Sequence, residues 1–88
     1  MTSNDPRAAA ARAFIAALPH CRALGMAVRD VSDGRAVVAM PWSADLVGDP
    51  RTGVIHGGAV SALMDTSGGA AVLCYPSGPL GTATMDLR

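Results

Sequence analysis

The chain of 88 residues contains no lysine and no glutamate, so every positive charge is an arginine and every negative charge is an aspartate. Seven cations balance seven anions, and the arginines are scattered along the chain. A nucleic-acid surface needs a basic stripe, often with aromatic side chains that stack on bases. Because the aromatic residues are only Phe14, Trp42 and Tyr75, we expect no nucleic-acid partner.

Cysteine is scarce as well. Cys21 and Cys74 are too few for a disulfide framework and fit a reducing compartment. The apolar run from Ala8 to Leu18 is interrupted by Arg12 and is too short for a transmembrane helix. It also lacks the basic start and the small-residue cleavage site of a signal peptide. We therefore expect a cytoplasmic protein with no membrane partner.

The first part of the chain predicts a helix. Half of all residues are apolar and 16% are charged, which is a globular composition, and the length allows one small domain. Asp5 and Pro6 form a typical helix start, with the acid as N-cap and proline at the first helical position. The pattern continues to about Leu18, where Pro19 ends the helix.

A β-hairpin and a loop are predicted next. Two runs with valine at strand-like spacing, 23–31 and 35–40, flank a turn that contains Gly34. The segment from Pro41 to Ile55 is punctuated by proline and glycine and predicts a loop. A central helix from Gly57 to about Leu73 follows, and then a strand at 82–87. We expect one face of the helix to carry the following residues: Val60, Leu63, Met64, Ser67, Ala71 and Cys74.

The most informative segment is the start of the central helix. His56, Gly57 and Gly58 precede an apolar helix that contains one acid, Asp65. From residue 52 to 87 there is neither lysine nor arginine that could pair with this acid. A carboxylate in an apolar setting without a counter-ion costs several kcal/mol. The pattern therefore indicates that Asp65 has a function.

This segment resembles the PaaI-like branch of the hotdog-fold acyl-CoA thioesterases. The resemblance runs from about Leu24 to Arg88 and includes the segments 48–55 and 81–88 on either side of the helix. It implies an α+β fold in which a long helix packs against an antiparallel sheet. Because family members have further strands, we expect an incomplete hotdog domain over residues 1–88, with about three strands and with residues 1–20 as an N-terminal helical extension.

The resemblance also implies hydrolysis of acyl-CoA by a homodimer or a dimer of dimers. It assigns catalytic roles to Asp65, to the glycine at the helix start, Gly57, to His56 and, more weakly, to Thr84. It assigns substrate contacts to the following residues: Gly58, Asp49, Val60 and Met64. Asp49 stands in the region where many members carry asparagine, and an aspartate cannot donate an amide N–H.

The chemistry of these residues agrees with the resemblance. A backbone N–H at a helix N-terminus, such as that of Gly57, suits the negative oxygen that develops in acyl transfer. Asp65 can serve as nucleophile or, through a water, as general base. Eight residues of helix separate the two by about 12 Å along the axis, too far for both to reach one carbonyl. We therefore expect a site shared between two chains.

Other sites are less well supported. Ser61 or Ser67 could join His56 and Asp65 in a serine triad, but no Gly-x-Ser-x-Gly elbow is present. The two histidines and two cysteines lack the paired spacing of zinc ligands, so we predict no metal and no cofactor. A non-catalytic acyl-CoA-binding remnant and a hotdog dehydratase remain as alternatives. The glycine pair 68–69 predicts close packing against the sheet or another subunit.

Overall fold

The computed structural model describes residues 6–74 and 83–88. Its helices are α1 (Pro6–Ala17), α2 (Pro19–Ala23) and α3 (Gly57–Leu73). Its strands are β1 (Ala27–Ser32), β2 (Arg35–Ala39), β3 (Val47–Asp49) and β4 (Val54–Ile55), with a short 3₁₀ turn at Ala44–Leu46. The predicted cap Asp5 and the first residue of the predicted last strand, Thr82, lie outside the described residues.

Helix α1 confirms the first predicted helix, and α2 is an element that the sequence prediction missed. Leu18 has an extended backbone (φ −70°, ψ 122°), as is common before a proline, and this ends α1. Pro19 then opens α2, because a missing N–H costs nothing in the first turn of a helix. Proline here both stops one helix and starts the next.

The predicted hairpin is confirmed. Strands β1 and β2 pair antiparallel, with Val28 opposite Val38 and Ser32 opposite Arg35. Gly34 adopts φ +66° in the turn, a conformation that glycine reaches without strain. Its N–H donates to the carbonyl of Cys74 at 3.2 Å, so the hairpin turn also satisfies the C-terminal end of α3.

The prediction of a plain loop over residues 41–55 was wrong, because the short strands β3 and β4 pair antiparallel there. The carbonyl of Asp49 accepts the N–H groups of Thr52 (3.2 Å) and Gly53 (2.9 Å), which closes the connecting turn. Gly53 has φ +78°. With three and two residues, the strands are too short to produce an alternating pattern in the sequence.

Helix α3 packs on β2 and α1. Two groups of buried residues form the core: Ala11, Val31 and Cys74 in one, and Ile15, Cys21 and Ala70 in the other. The residues predicted to share one face of α3 differ in burial, since Cys74 is 2% exposed whereas Val60 and Met64 are 44% and 40% exposed. Ala70, which is 1% exposed, is the α3 residue of the second group, and Leu73 packs against the first group.

The segment 83–88 is not a strand, contrary to the prediction. It lies beside α3 and lines a cleft with that helix. A strand requires a partner that accepts and donates its backbone hydrogen bonds, and neither two-stranded sheet of the described residues includes this segment. Within the described part of the chain, no helix is long and apolar enough to cross a membrane.

The architecture belongs to the predicted α+β class, with a long helix against antiparallel strands. Helix α1 contributes Ala11 and Ile15, each 4% exposed, to the core. The prediction of one domain with residues 1–20 as an extension stays a prediction. What the fold provides for function is an anchored α3, with one face packed and the other open.

Candidate active site

His56 forms the junction between strand β4 and helix α3. Its N–H donates to the carbonyl of Leu46 at 2.8 Å, and its own carbonyl accepts the N–H of Ala59 at 3.0 Å. The ring nitrogen Nδ1 accepts the N–H of Gly58 at 2.8 Å, so the side chain caps the helix. Three hydrogen bonds thus fix both the backbone and the ring of this residue.

The cap also determines which ring nitrogen carries a proton. A neutral imidazole that accepts at Nδ1 has its proton on Nε2. His56 is exposed, and in this state it offers an N–H donor at Nε2. That state suits a hydrogen bond to a substrate carbonyl and does not suit proton abstraction.

Gly48 supports this junction and was missed by the sequence prediction. A Cβ added at Gly48 would lie 2.8 Å from the Cα of His56 and 3.1 Å from its backbone nitrogen. Since these are backbone atoms, they could move only with the whole junction. The sequence signal was one glycine among several in an apparent loop, and only the β3–β4 pairing reveals its contact.

The two glycines that follow His56 differ in their surroundings. A Cβ at Gly58 would come within 2.9 Å of His56 Nδ1, so glycine is needed there for the cap. A Cβ at Gly57 would meet nothing within 4 Å, and the residue is exposed. Within the described residues the Gly57 N–H has no acceptor. Gly57 thus presents an available donor at the positive end of the helix dipole.

Asp65 lies on the exposed face of α3, two turns after Gly57. The hydroxyl of Thr84 donates to its carboxylate, so the structure brings these two predicted residues together. In the described residues the arginines near Asp65 in sequence pair elsewhere, Arg51 with Asp49 and Arg88 with Asp86. The expected cost of a carboxylate without a counter-ion in an apolar setting does not arise, because Asp65 is exposed to solvent.

A cleft of about 240 Å³ adjoins Asp65. It lies between α3 and the C-terminal segment and is lined by Met64, Asp65, Gly68, Gly69, Val72 and residues 83–87. Of the two predicted apolar contacts, Met64 lines this cleft. Val60 is exposed on the same helix, one turn before Met64.

Asp49 is engaged within its own hairpin. Its carboxylate accepts the N–H of Arg51 at 3.0 Å and the guanidinium Nε of the same residue at 3.4 Å. These contacts hold the β3–β4 turn that precedes His56. A role of Asp49 in substrate binding stays a prediction, and the observed contacts are those of a turn residue.

The alternative sites gain no support from the structure. The hydroxyl of Ser67 donates to the Leu63 carbonyl at 2.7 Å, which directs it back onto its own helix. Cys21 is buried, with its sulfur 3.9 Å from the hydroxyl of Thr66. In residues 6–74 and 83–88, no three histidine, cysteine or acidic side chains are grouped to hold a metal.

The fold of this chain is similar to that of proteins with solved structures. The chain aligns with two solved structures at a TM-score of 0.74 each. One is a crystal structure of a Pseudomonas aeruginosa protein, 37% identical, with 94% of this chain covered and 62% of that one. The other is described as belonging to the thioesterase superfamily and is 28% identical over 85% of this chain and 57% of that one. The chain thus has the hotdog fold of thioesterase-superfamily proteins.

Sequence comparison points the same way. The chain is 38% identical over 68 residues to a protein of Halobacterium salinarum named "Putative esterase", covering 74% of this chain. No protein-family model matches the sequence. The chain spans 45% of the length of that curated relative. The activity, substrates and partners of the whole protein are therefore matters of proposal.

Proposed function

We propose that the chain acts as a PaaI-like thioesterase in the cytoplasm and hydrolyses acyl-CoA to a free acid and CoA. The similarity to an esterase and to a thioesterase-superfamily protein supports a hydrolase in general. The single observation that carries the finer proposal is the placement of Asp65. This acid is exposed on the open face of α3 and is oriented by the hydroxyl of Thr84.

The proposed reaction assigns each group one task. Asp65 takes a proton from a water molecule, whose oxygen attacks the thioester carbonyl. The carbonyl oxygen becomes negative and accepts the N–H of Gly57, where the helix dipole adds further stabilisation. The Nε2–H of His56 lies at the same turn and is a second candidate donor. The C–S bond then breaks, and the proton on Asp65 passes to the CoA thiolate.

The proposal requires two copies of the chain. Gly57 and Asp65 of one helix are about 12 Å apart along the axis, so each site must combine Gly57 of one copy with Asp65 of another. If a two-fold axis relates the two copies, Gly57 of each copy faces Asp65 of the other. The axis then passes beside Ser61, which lies midway between these two residues. Ser61 is exposed on the same open face, as this arrangement requires.

A disulfide can test the register of the two helices. When the axes of two packed helices are about 8–10 Å apart, Cα atoms that face each other across the two-fold axis are roughly 3.5–5.5 Å apart. A disulfide spans about 4.4–6.8 Å, so Ser61→Cys is expected to form a covalent dimer under mild oxidation. The readout is non-reducing electrophoresis of the 88-residue chain.

Val72→Cys is the matched control, because it lies on the exposed side of the same helix. In the proposed register its two copies are separated by roughly 33 Å along the axis, and no cross-link is expected. The native Cys21 and Cys74 are each 2% exposed. The unmodified chain therefore measures the background of cross-links that form through these two cysteines. Equal cross-linking at positions 61 and 72 would contradict the register.

Activity is tested by release of the CoA thiol from a series of acyl-CoA substrates. Asp65→Asn keeps the size of the side chain but removes the base, and we expect kcat to fall by about 10²–10⁴-fold. Asp33→Asn, an exposed acid in the β1–β2 turn, is the matched control and is expected to retain full activity. Turnover by Asp65→Asn at the wild-type rate would refute the mechanism.

The same assay separates the alternatives. An acyl-CoA-binding remnant would bind the substrate without releasing the thiol, and calorimetric titration would detect that binding. A dehydratase would act on enoyl-CoA with a histidine base, but the Nδ1 of His56 already accepts the Gly58 N–H. The observed cap therefore favours hydrolysis over dehydration.

A further inference from the structure

Gly68 lies in the interior of α3, one turn after Asp65, and the fold does not explain why it is a glycine. Glycine is less favourable than alanine in a helix interior. Gly68 is not among the described glycines with positive φ, which are Gly25, Gly34 and Gly53. A Cβ at Gly68 would meet nothing within 4 Å. The predicted close packing of Gly68 on the sheet is therefore wrong, and the predicted alternative, packing against another subunit, stays a prediction.

The open space beside Gly68 is the cleft next to Asp65. Five apolar residues also line this cleft: Met64, Val72, Ala83, Met85 and Leu87. Of these, Met64, Val72 and Leu87 are 40%, 38% and 42% exposed, and Met85 is 100% exposed. An apolar group in the cleft would cover part of this surface, which favours its binding. A side chain at position 68 would enter the same space.

We propose that Gly68 determines the size of the acyl group, by leaving room for it beside Asp65. This inference rests on the proposed thioesterase function and adds the substrate class. A dry apolar cavity of ~150 Å³ accommodates benzene. By that measure the cleft of about 240 Å³, which is open to solvent, covers an acyl segment on the order of six to ten carbons. A longer fatty acyl chain would leave its remaining carbons in water.

The test compares graded variants at position 68 with butyryl-, octanoyl- and palmitoyl-CoA as substrates. The wild-type chain is expected to prefer octanoyl-CoA to palmitoyl-CoA. Gly68→Leu is expected to lower kcat/KM for octanoyl-CoA at least tenfold relative to butyryl-CoA, because each displaced methylene is worth about fourfold. Gly68→Ala is expected to show a smaller shift in the same direction.

The matched control is Ala16→Leu, which enlarges an exposed position of α1 outside the cleft. It is expected to leave the ratio of octanoyl to butyryl turnover unchanged. Both leucine variants should fold, since leucine is a good helix former, and circular dichroism checks this.

The outcomes separate the two proposals. If the wild-type chain hydrolyses no acyl-CoA, the proposed function fails and the size preference fails with it. If Gly68→Leu lowers turnover of all three substrates equally, the thioesterase function stands and the role of Gly68 is refuted. If Gly68→Ala instead dissociates the dimer in size-exclusion chromatography, the glycine serves packing between copies, which also refutes the size role.

Discussion

The two faces of α3 are built from different residues for different reasons. On the packed face, Ala59 and Ala70 are 9% and 1% exposed, and Ala70 lies in the core with Ile15 of α1 and Ala36 of β2. On the open face, Gly57, Asp65 and Gly68 are exposed. Packing accounts for Ala70, since a larger side chain at a position that is 1% exposed would push the helix away from its neighbours.

The residues of the open face have no such structural explanation. At Gly57 and Gly68 a Cβ would meet only open space, so the packing within the chain does not require glycine at either position. Asp65 is a weaker helix former than alanine, and its observed partner is the Thr84 hydroxyl. The difference indicates that function is concentrated on the face whose residues the packing leaves unexplained.

The largest expected effect comes from exchanging the residue types of the two faces. Ala70→Asp places a carboxylate at a site that is 1% exposed, and the loss of stability is expected to be on the order of 3–5 kcal/mol. Asp65→Ala removes a carboxylate from the exposed face, and the change is expected to stay within about 0.5 kcal/mol. Urea unfolding at a fixed protein concentration measures both.

Concentration must be held constant in that experiment because dimer formation would contribute to apparent stability. The comparison fails if Asp65→Ala destabilises the chain as much as Ala70→Asp. In that case the carboxylate of Asp65 would hold the fold together, and its placement would no longer support a catalytic role.

The sequence predicted the elements with long patterns and strong end signals. Proline at the start of α1, the valine-rich runs around Gly34 and the two glycines that begin α3 were sufficient to place these elements. It did not reveal α2, because a proline after a helix is also a stop signal. It did not reveal β3 and β4, because strands of three and two residues carry no periodicity.

The candidate site was predictable in its residues but not in its arrangement. His56, Gly57 and Asp65 stand out as residue types, whereas the face of the helix on which Asp65 lies depends on tertiary packing. A helix rich in alanine and glycine has apolar residues on all sides, so hydrophobic periodicity could not distinguish Ala70 from Met64. The sequence also gave no sign that Gly48 contacts His56.

The smallest expected effect concerns the start of α3, where both faces begin. His56→Ala removes the ring that accepts the Gly58 N–H, and a lost N-cap costs about 1 kcal/mol. His56→Asn restores a capping side chain, so it is expected to recover most of that stability in thermal unfolding. Activity sharpens the comparison, because the amide N–H of a capping asparagine lies about where the ring Cδ2 was and ends short of the position of Nε2. If His56→Asn recovers stability but not turnover, the residue serves both the helix and the substrate. If it recovers both, the Nε2–H of His56 is not required for turnover, and Gly57 is left as the main donor to the thioester oxygen.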